Sequence, residues 1–197
     1  MIWWCKRRLL LPVVVPGLVA FALLAAVAHG EAVALPGLLA SGNLLFLIHL
    51  TPLLVTGTLA YSLAQRLPEA EDLAVRAVRR YDVLLALVTA SAAAGAASAV
   101  GAVARSATAY EAGRNTLFLT GLMLLAGAVR PRAATVAPVA WVFVAAFAGY
   151  RDFHRPWPWA VTLHPAGFLP TYALCLAVFL GGLVALHRTR GRRPSTD

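Results

Sequence analysis

Residues 83–103 read VLLALVTASAAAGAASAVGAV, a run of 21 residues without one charged side chain. A helix of that length rises about 30 Å, the thickness of a bilayer's hydrocarbon core. The run is also dense in small residues: Ser91 and Gly95 are four apart, and Ala94, Ala97, Ser98 and Gly101 extend the pattern. Such spacings let membrane helices approach backbone to backbone. Working outward from this run, five further apolar stretches appear, and together they predict an all-α, polytopic helix bundle with six transmembrane helices.

The composition agrees. The chain is 60% hydrophobic and only 13% charged, whereas soluble domains carry about 25% charged residues. Six spans of ~20 residues use most of a 197-residue chain and leave little for a soluble catalytic domain. A single transmembrane domain is expected over residues 1–187, with a basic cytoplasmic tail over residues 188–197. Abundant Ala, Leu, Val, Arg and Gly point to a high-GC bacterial genome, hence to a bacterial cell membrane. Two cysteines, Cys5 and Cys175, lie too far apart in sequence to suggest a zinc site or disulfide framework.

Helix one is expected over residues 9–28, behind Lys6, Arg7 and Arg8 and the interfacial pair Trp3 and Trp4. Ala26-Val27-Ala28 imitates a signal-peptide cleavage site, but the apolar run is longer than a usual signal core. After a loop over residues 29–37 (HGEAVALPG), helix two is expected over residues 38–63. It includes Gly42, Asn43, His49 and Pro52 and is read as kinked and interior. Residues 65–82 form a polar connection before helix three. Helix four is expected over residues 109–129, with Glu111 and Arg114 as an i, i+3 pair at its outer end. Helix five is expected over residues 133–149 and helix six over residues 166–186. Between them, residues 150–165 (YRDFHRPWPWAVTLHP) form a loop with Trp157 and Trp159 as interfacial anchors, or a broken element dipping part-way into the membrane.

The net charge of +9 is distributed as a topology signal, not as a nucleic-acid footprint. Basic clusters at Lys6 to Arg8, Arg66 to Arg80, Arg130 with Arg132, and Arg188 to Arg193 fall on one side of a six-span arrangement. Only Arg105, Arg114, Arg151 and Arg155 fall on the other. The positive-inside rule therefore places both termini in the cytoplasm.

Within the connection after helix two, residues 67–81 read LPEAEDLAVRAVRRY. Pro68 suits a first helical position. Glu69, Glu71 and Asp72 crowd the start and Arg76, Arg79 and Arg80 the end, which complements the helix dipole. Asp72 and Arg76 are an i, i+4 pair. A short cytoplasmic amphipathic helix follows, read either as a linker lying on lipid headgroups or as a docking helix for a cytoplasmic partner. Its acidic half favours docking, because a purely lipid-facing helix would be basic throughout.

Candidate chemistry is sparse. His49 is read as a hydrogen-bonded histidine of the bundle interior, and a haem pair finds no second ligand at similar depth. Asp152, His154 and His164 have a weak metal-site spacing that an interfacial loop explains as well. No GxSxG, HExxH, CxxC or GxxxxGK[ST] pattern occurs, so ATP hydrolysis through a phosphate loop is excluded for this chain. No enzyme activity, metal or cofactor is expected. The apolar centres of the six helices are read as free of Asp and Glu, which counts against a proton-coupled carrier.

This arrangement resembles the permease subunits of type-2 ABC exporters, in which permease and ATPase are separate chains. The resemblance rests on a basic interfacial N-terminus at residues 1–10, a coupling helix at residues 67–81, and a partly re-entrant element at residues 150–168. GRNTLFLTGLMLLAG (residues 113–127) followed by WPWAVTLHP also looks like small permeases encoded beside ATPase genes in high-GC bacteria. The resemblance implies a homodimer or a heterodimer with a second permease in the lipid bilayer, and a cytoplasmic ATPase docked at Glu69, Asp72, Arg76 and Arg79. It implies a substrate path along helices two and five, including Asn43, His49 and Trp141. A gradient-driven transporter or channel, an intramembrane enzyme using Asp152, His154 and His164, and an accessory subunit of a larger membrane complex are the competing classes.

Overall fold

The computed structural model describes residues 10–28, 32–35, 43–65, 77–152 and 155–188. Among these residues the chain forms six α-helices: α1 (Val15–Val27), α2 (Pro52–Ala64), α3 (Ala77–Ala104), α4 (Ala107–Val129), α5 (Ala133–Ala148) and α6 (Leu169–Arg188). Two small antiparallel hairpins complete the architecture. Strands β1 (Ala32–Leu35) and β2 (Asn43–Phe46) pair before α2, and β3 (Tyr150–Asp152) and β4 (Arg155–Pro156) pair after α5. Both hairpins lie at one end of the bundle, called the hairpin end below; Ala25, Ile48, Ala109 and Ala112 cluster there from three different segments.

Local chemistry sets the element boundaries. A single π turn, Leu10–Val14, leads into α1, where Pro12 and Pro16 each lack an N–H for the helical ladder. Pro52 opens α2. Within α2 the Thr56 and Thr58 hydroxyls donate back to the Pro52 and Leu54 carbonyls, so these polar groups are satisfied inside an apolar helix. At the α3–α4 turn Arg105 adopts φ 52° and the Ser106 N–H donates to the Gly101 carbonyl at 3.0 Å. That left-handed residue reverses the chain within two positions. At the opposite end, Arg130 and Pro131 turn α4 into α5, with the Ala133 N–H on the Arg130 carbonyl.

α4 is the central helix. From Ala109 to Phe118 every residue but Tyr110 and Leu117 is buried. Its tightest contact is with α6, at two glycines. A Cβ on Gly121 would fall 2.6 Å from the backbone of Val178 and Phe179, and one on Gly182 would fall 2.7 Å from the Gly121 carbonyl oxygen. The two backbones touch there, and no other residue type fits without separating the helices.

Apolar side chains face outward and polar ones inward, the reverse of a soluble fold. Val103 is 88% exposed and Leu169 79%, with Val19, Leu23, Val88 and Phe143 also on the surface, while Arg114, Asn115, Thr116 and Thr120 are buried. Among the described residues, three helices are long and apolar enough to cross a membrane: residues 80–104, α4 and α6. The apolar helices over residues 12–27, 48–64 and 133–148 are shorter.

The sequence expectations hold for the helical class and, to within a few residues, for helices one, four, five and six; helix three begins six residues earlier than expected, at Ala77, and takes in residues 77–81 of the stretch read as a separate short helix. Helix two is corrected. Residues 43–46 are not helical; they pair as a strand with residues 32–35, in the register Leu35 to Asn43, and a 3-10 turn over Leu47–Leu50 precedes α2. A short apolar run reads the same as helix or strand by hydropathy. Asp82 is corrected too: it belongs to α3, buried one turn in, not to a polar connection.

Candidate functional site

The polar residues of α4 converge at the hairpin end. Glu111, Arg114 and Asn115 occupy successive positions of one helical face, and all three are buried. The sequence reading paired Glu111 with Arg114; the structure gives each a different partner. The Glu111 Oε2 atom lies 3.2 Å from the His49 Nε2 atom on the 3-10 turn. The other carboxylate oxygen, Oε1, accepts the Ala166 backbone N–H at 3.0 Å. One side chain thus joins the segment before α2 to the segment before α6.

Arg114 is only 2% exposed and is held by neutral acceptors. Its Nη2 donates to the His164 carbonyl at 2.7 Å and its Nη1 to the Thr171 hydroxyl at 2.8 Å. A weaker Nη1 contact reaches the Pro165 carbonyl at 3.3 Å, and Nε and Nη2 both reach Asn115 Oδ1 at 3.4 Å. Those contacts use the fork of five guanidinium donors. The Tyr172 ring lies 5.4 Å from the guanidinium carbon, a cation–π distance. Asn115 completes the grip by donating from Nδ2 to the Thr162 carbonyl at 2.9 Å.

The object held is the connection between α5 and α6. After the β3–β4 hairpin, the chain does not cross directly to α6. The Trp157 N–H returns to the Gly149 carbonyl at 2.8 Å, a 3-10 turn forms over Val161–Leu163, and Ala160, Val161 and Thr162 are buried. Val161 packs in one cluster with Phe118, Leu119, Val142 and Cys175. Phe118 is at the midpoint of the 23-residue α4, about 16 Å along the axis from its first residue. The connection therefore penetrates half the length of the bundle. Trp159 reaches Trp141 of α5 with ring centroids 6.1 Å apart, and Trp141 in turn meets Phe118 at 5.0 Å.

Beside Glu111, Tyr150 of β3 is largely buried. Burial raises its phenol above the ordinary value, and the Glu111 charge adds to the rise, since both disfavour a second negative charge there.

Of the residues singled out from sequence, His49 and Trp141 enter this assembly. Asn43 lies on β2 opposite Leu35, away from the α2 path assigned to it. Arg79 is on the first turn of α3. Glu69, Asp72 and Arg76, with the rest of the amphipathic stretch up to residue 76, lie outside the described residues. His164 does not face a metal site: its Nε2 is 3.2 Å from the Trp157 carbonyl and its ring stacks on Phe168. His154 is outside the described residues, and no group of three His, Cys, Asp or Glu able to hold a metal forms among those described. Glu111 and Asp82 are buried near the starts of α4 and α3; the apolar centres of the described helices carry no Asp or Glu. Sequence reasoning missed Asn115, Thr171 and the carbonyls of residues 162–165. A polar triplet inside an apolar helix was the available signal, but its partners stand some 50 residues along the chain.

No protein-family model, curated protein or solved structure matches this chain.

Proposed function

We propose that this protein is the membrane-spanning permease subunit of an ABC exporter, working with a separate cytoplasmic ATPase. The observation that carries the reading is the connection between α5 and α6, which runs half-way into the bundle beside Phe118 and Leu119. This supports the partly re-entrant element that the sequence resemblance implies at residues 150–168. The absence of any phosphate-loop pattern requires the energy source to be another chain or an ion gradient. In this reading all six helices span the membrane of a bacterial cell, with both termini inside. The three shorter helices are matched to the bilayer by local thinning and by their flanking turns. The hairpin end faces outward, the basic clusters face the ATPase, and two permease chains, alike or different, form the pathway.

The ATPase contact falls on Glu69, Asp72, Arg76 and Arg79, where acidic residues lead and basic residues follow along the stretch. Tagged protein purified from its native host in mild detergent is expected to bring down a stoichiometric nucleotide-binding subunit. The double charge reversal Asp72→Arg with Arg76→Asp is expected to cut that recovery at least about tenfold, because like charges then meet across a docking surface. Recovery of the permease alone, under crosslinking as well, would remove the ABC reading.

A gradient-driven carrier is the second reading, and the buried Glu111–His49 pair favours it, since intramembrane ionisable groups mark ion or proton paths. It predicts transport by the purified chain alone, driven by an imposed gradient without nucleotide.

A further inference from the structure

Arg114, the clamp at the hairpin end, has its guanidinium matched inside the protein by the His164 carbonyl and the Thr171 hydroxyl. The arginines at the opposite end are not matched in this way. Arg80 lies near the start of α3, Arg130 and Arg132 form the α4–α5 turn, and Arg188 closes α6. All four are exposed, and none of their guanidinium groups has a carboxylate, carbonyl or ring partner among the described contacts. Asp82, the carboxylate described at this end, is buried. One apolar cluster holds the segments side by side: Leu85 and Ala86 of α3, Leu124 of α4, and Leu183 and Leu186 of α6, with Ala134 of α5 against them. Each arginine lies just beyond that cluster along its own segment. Each also has an exposed apolar neighbour. Leu84 and Val184 are four positions from Arg80 and Arg188, so each pair shares a helix face. Val136 stands four positions from Arg132, and Val129 precedes Arg130.

We propose that Arg80, Arg130, Arg132 and Arg188 form a rim that binds the phosphate groups of anionic phospholipids in the leaflet at this end. The guanidinium fork matches phosphate oxygens two at a time, and basic groups at a bilayer surface attract anionic lipid. The apolar neighbours select a lipid over a soluble acidic partner. An acidic protein surface would answer the charges but leave Leu84, Val129, Val136 and Val184 uncovered. A phospholipid answers both, with its phosphate on the arginine and its acyl chain on the apolar residue about one turn deeper. Net negative charge is selected as well. A phosphatidylcholine headgroup brings its own cation, and no exposed carboxylate among the described residues at this end is there to meet it. The described arginines of the hairpin end make no comparable group: Arg114 is buried, Arg151 lies over the Trp157 ring, and Arg105 and Arg155 stand on separate turns. The inference rests on the membrane-spanning reading and not on the ABC reading.

The test is lipid selectivity of the full chain, purified alone and reconstituted in phosphatidylcholine vesicles. Trace spin-labelled phosphatidylglycerol or spin-labelled phosphatidylcholine reports the motionally restricted fraction of each lipid beside the protein. Phosphatidylglycerol is expected to associate about fivefold more strongly. The variant Arg80→Gln, Arg130→Gln and Arg188→Gln, with one change on each segment, is expected to bring the ratio close to one. The variant Arg105→Gln, Arg151→Gln and Arg155→Gln removes the same charge at the hairpin end and is expected to keep most of the preference. Excess glycerol phosphate is expected to leave the parent's ratio unchanged, and a ratio that it abolishes would show a site for free phosphate and overturn the lipid assignment. A restricted fraction for both labels with no preference overturns the proposal while leaving the membrane spans in place. So does a rim variant with the parent's ratio, or an equal loss from the hairpin-end variant, which would show net charge alone at work. Circular dichroism establishes that each variant is folded. If the rim variant is not, the three single changes decide: each is expected to lower the ratio in part, and the parent's ratio in all three overturns the proposal.

Discussion

Arg114→Met is expected to lower the apparent melting temperature in detergent by roughly 10 °C, the most damaging single loss of a polar group in the bundle. Methionine fills much of the same volume, so packing is nearly conserved and the loss is electrostatic. The His164 carbonyl and the Thr171 hydroxyl lose donors at 2.7 and 2.8 Å, and the weaker contacts to Pro165 and Asn115 go with them. Removing the guanidinium leaves buried neutral acceptors desolvated and unpaired, at a cost of about 1–3 kcal/mol each. For a chain of this size each kcal/mol moves the midpoint by about 2–4 °C. Arg114→Lys should fall between parent and Met, since an ammonium keeps the charge but cannot reach acceptors on both sides at once. Thermal melts of the three proteins in one detergent give the comparison. A methionine variant that melts with the parent would show that the clamp holds nothing.

Gly121→Leu is expected to separate α4 from α6 and leave little folded protein. The obstruction is backbone, not a movable side chain: Val178 and Phe179 main-chain atoms would lie 2.6 Å from a Cβ at this position. Even Gly121→Ala forces a helix shift, with a cost of about 1–3 kcal/mol as overpacked cores show. Leucine adds three more carbons in the same place. Gly181→Ala, one position from Gly182 but facing open space, is the control. It should be neutral or slightly stabilising, because alanine is the better helix former by about 1 kcal/mol. Monodispersity and melting of the three variants separate a steric effect at the crossing from a general intolerance of α4 and α6. Equal behaviour of Gly121→Ala and Gly181→Ala would place the helix crossing elsewhere.

What was legible in the sequence follows from the range of the forces involved. α3 to α6 announce themselves as long uncharged runs, closed by Arg105, by Arg130 with Pro131, and by Gly149; these signals are local, and the observed ends agree within a few residues. Residues 43–46 carry the same hydropathy as a helix, and only their pairing with residues 32–35 makes them a strand. That pairing is a tertiary fact. The same holds at the site. Glu111 and Arg114 were recognisable as a charged pair at the outer end of helix four, and their i, i+3 spacing invited a local bond. Each instead binds groups brought in by other segments, His49 and Ala166 for one, residues 164, 165 and 171 for the other. A helix buried nearly all round, as α4 is from Ala109 to Phe118, turns its polar residues to neighbours that spacing along one helix does not reveal. His49 illustrates the point in reverse: its burial was expected, but its partner was not nameable. The charge pattern of residues 67–76 lies outside the described residues, so its docking role rests on sequence alone.

Everything proposed for the site and its partner depends on six spans with the clamp on the outer face. Single cysteines at Gln65, Arg105, Arg130 and Arg151, in a Cys5→Ser and Cys175→Ala background, can be probed in intact cells with a membrane-impermeant maleimide. Six spans predict labelling of Arg105→Cys and Arg151→Cys in intact cells, and of Gln65→Cys and Arg130→Cys only after permeabilisation. If positions 105 and 130 label from the same side, α4 does not cross the membrane, and the six-span bundle, with the outward-facing clamp and the cytoplasmic ATPase contact built on it, is contradicted.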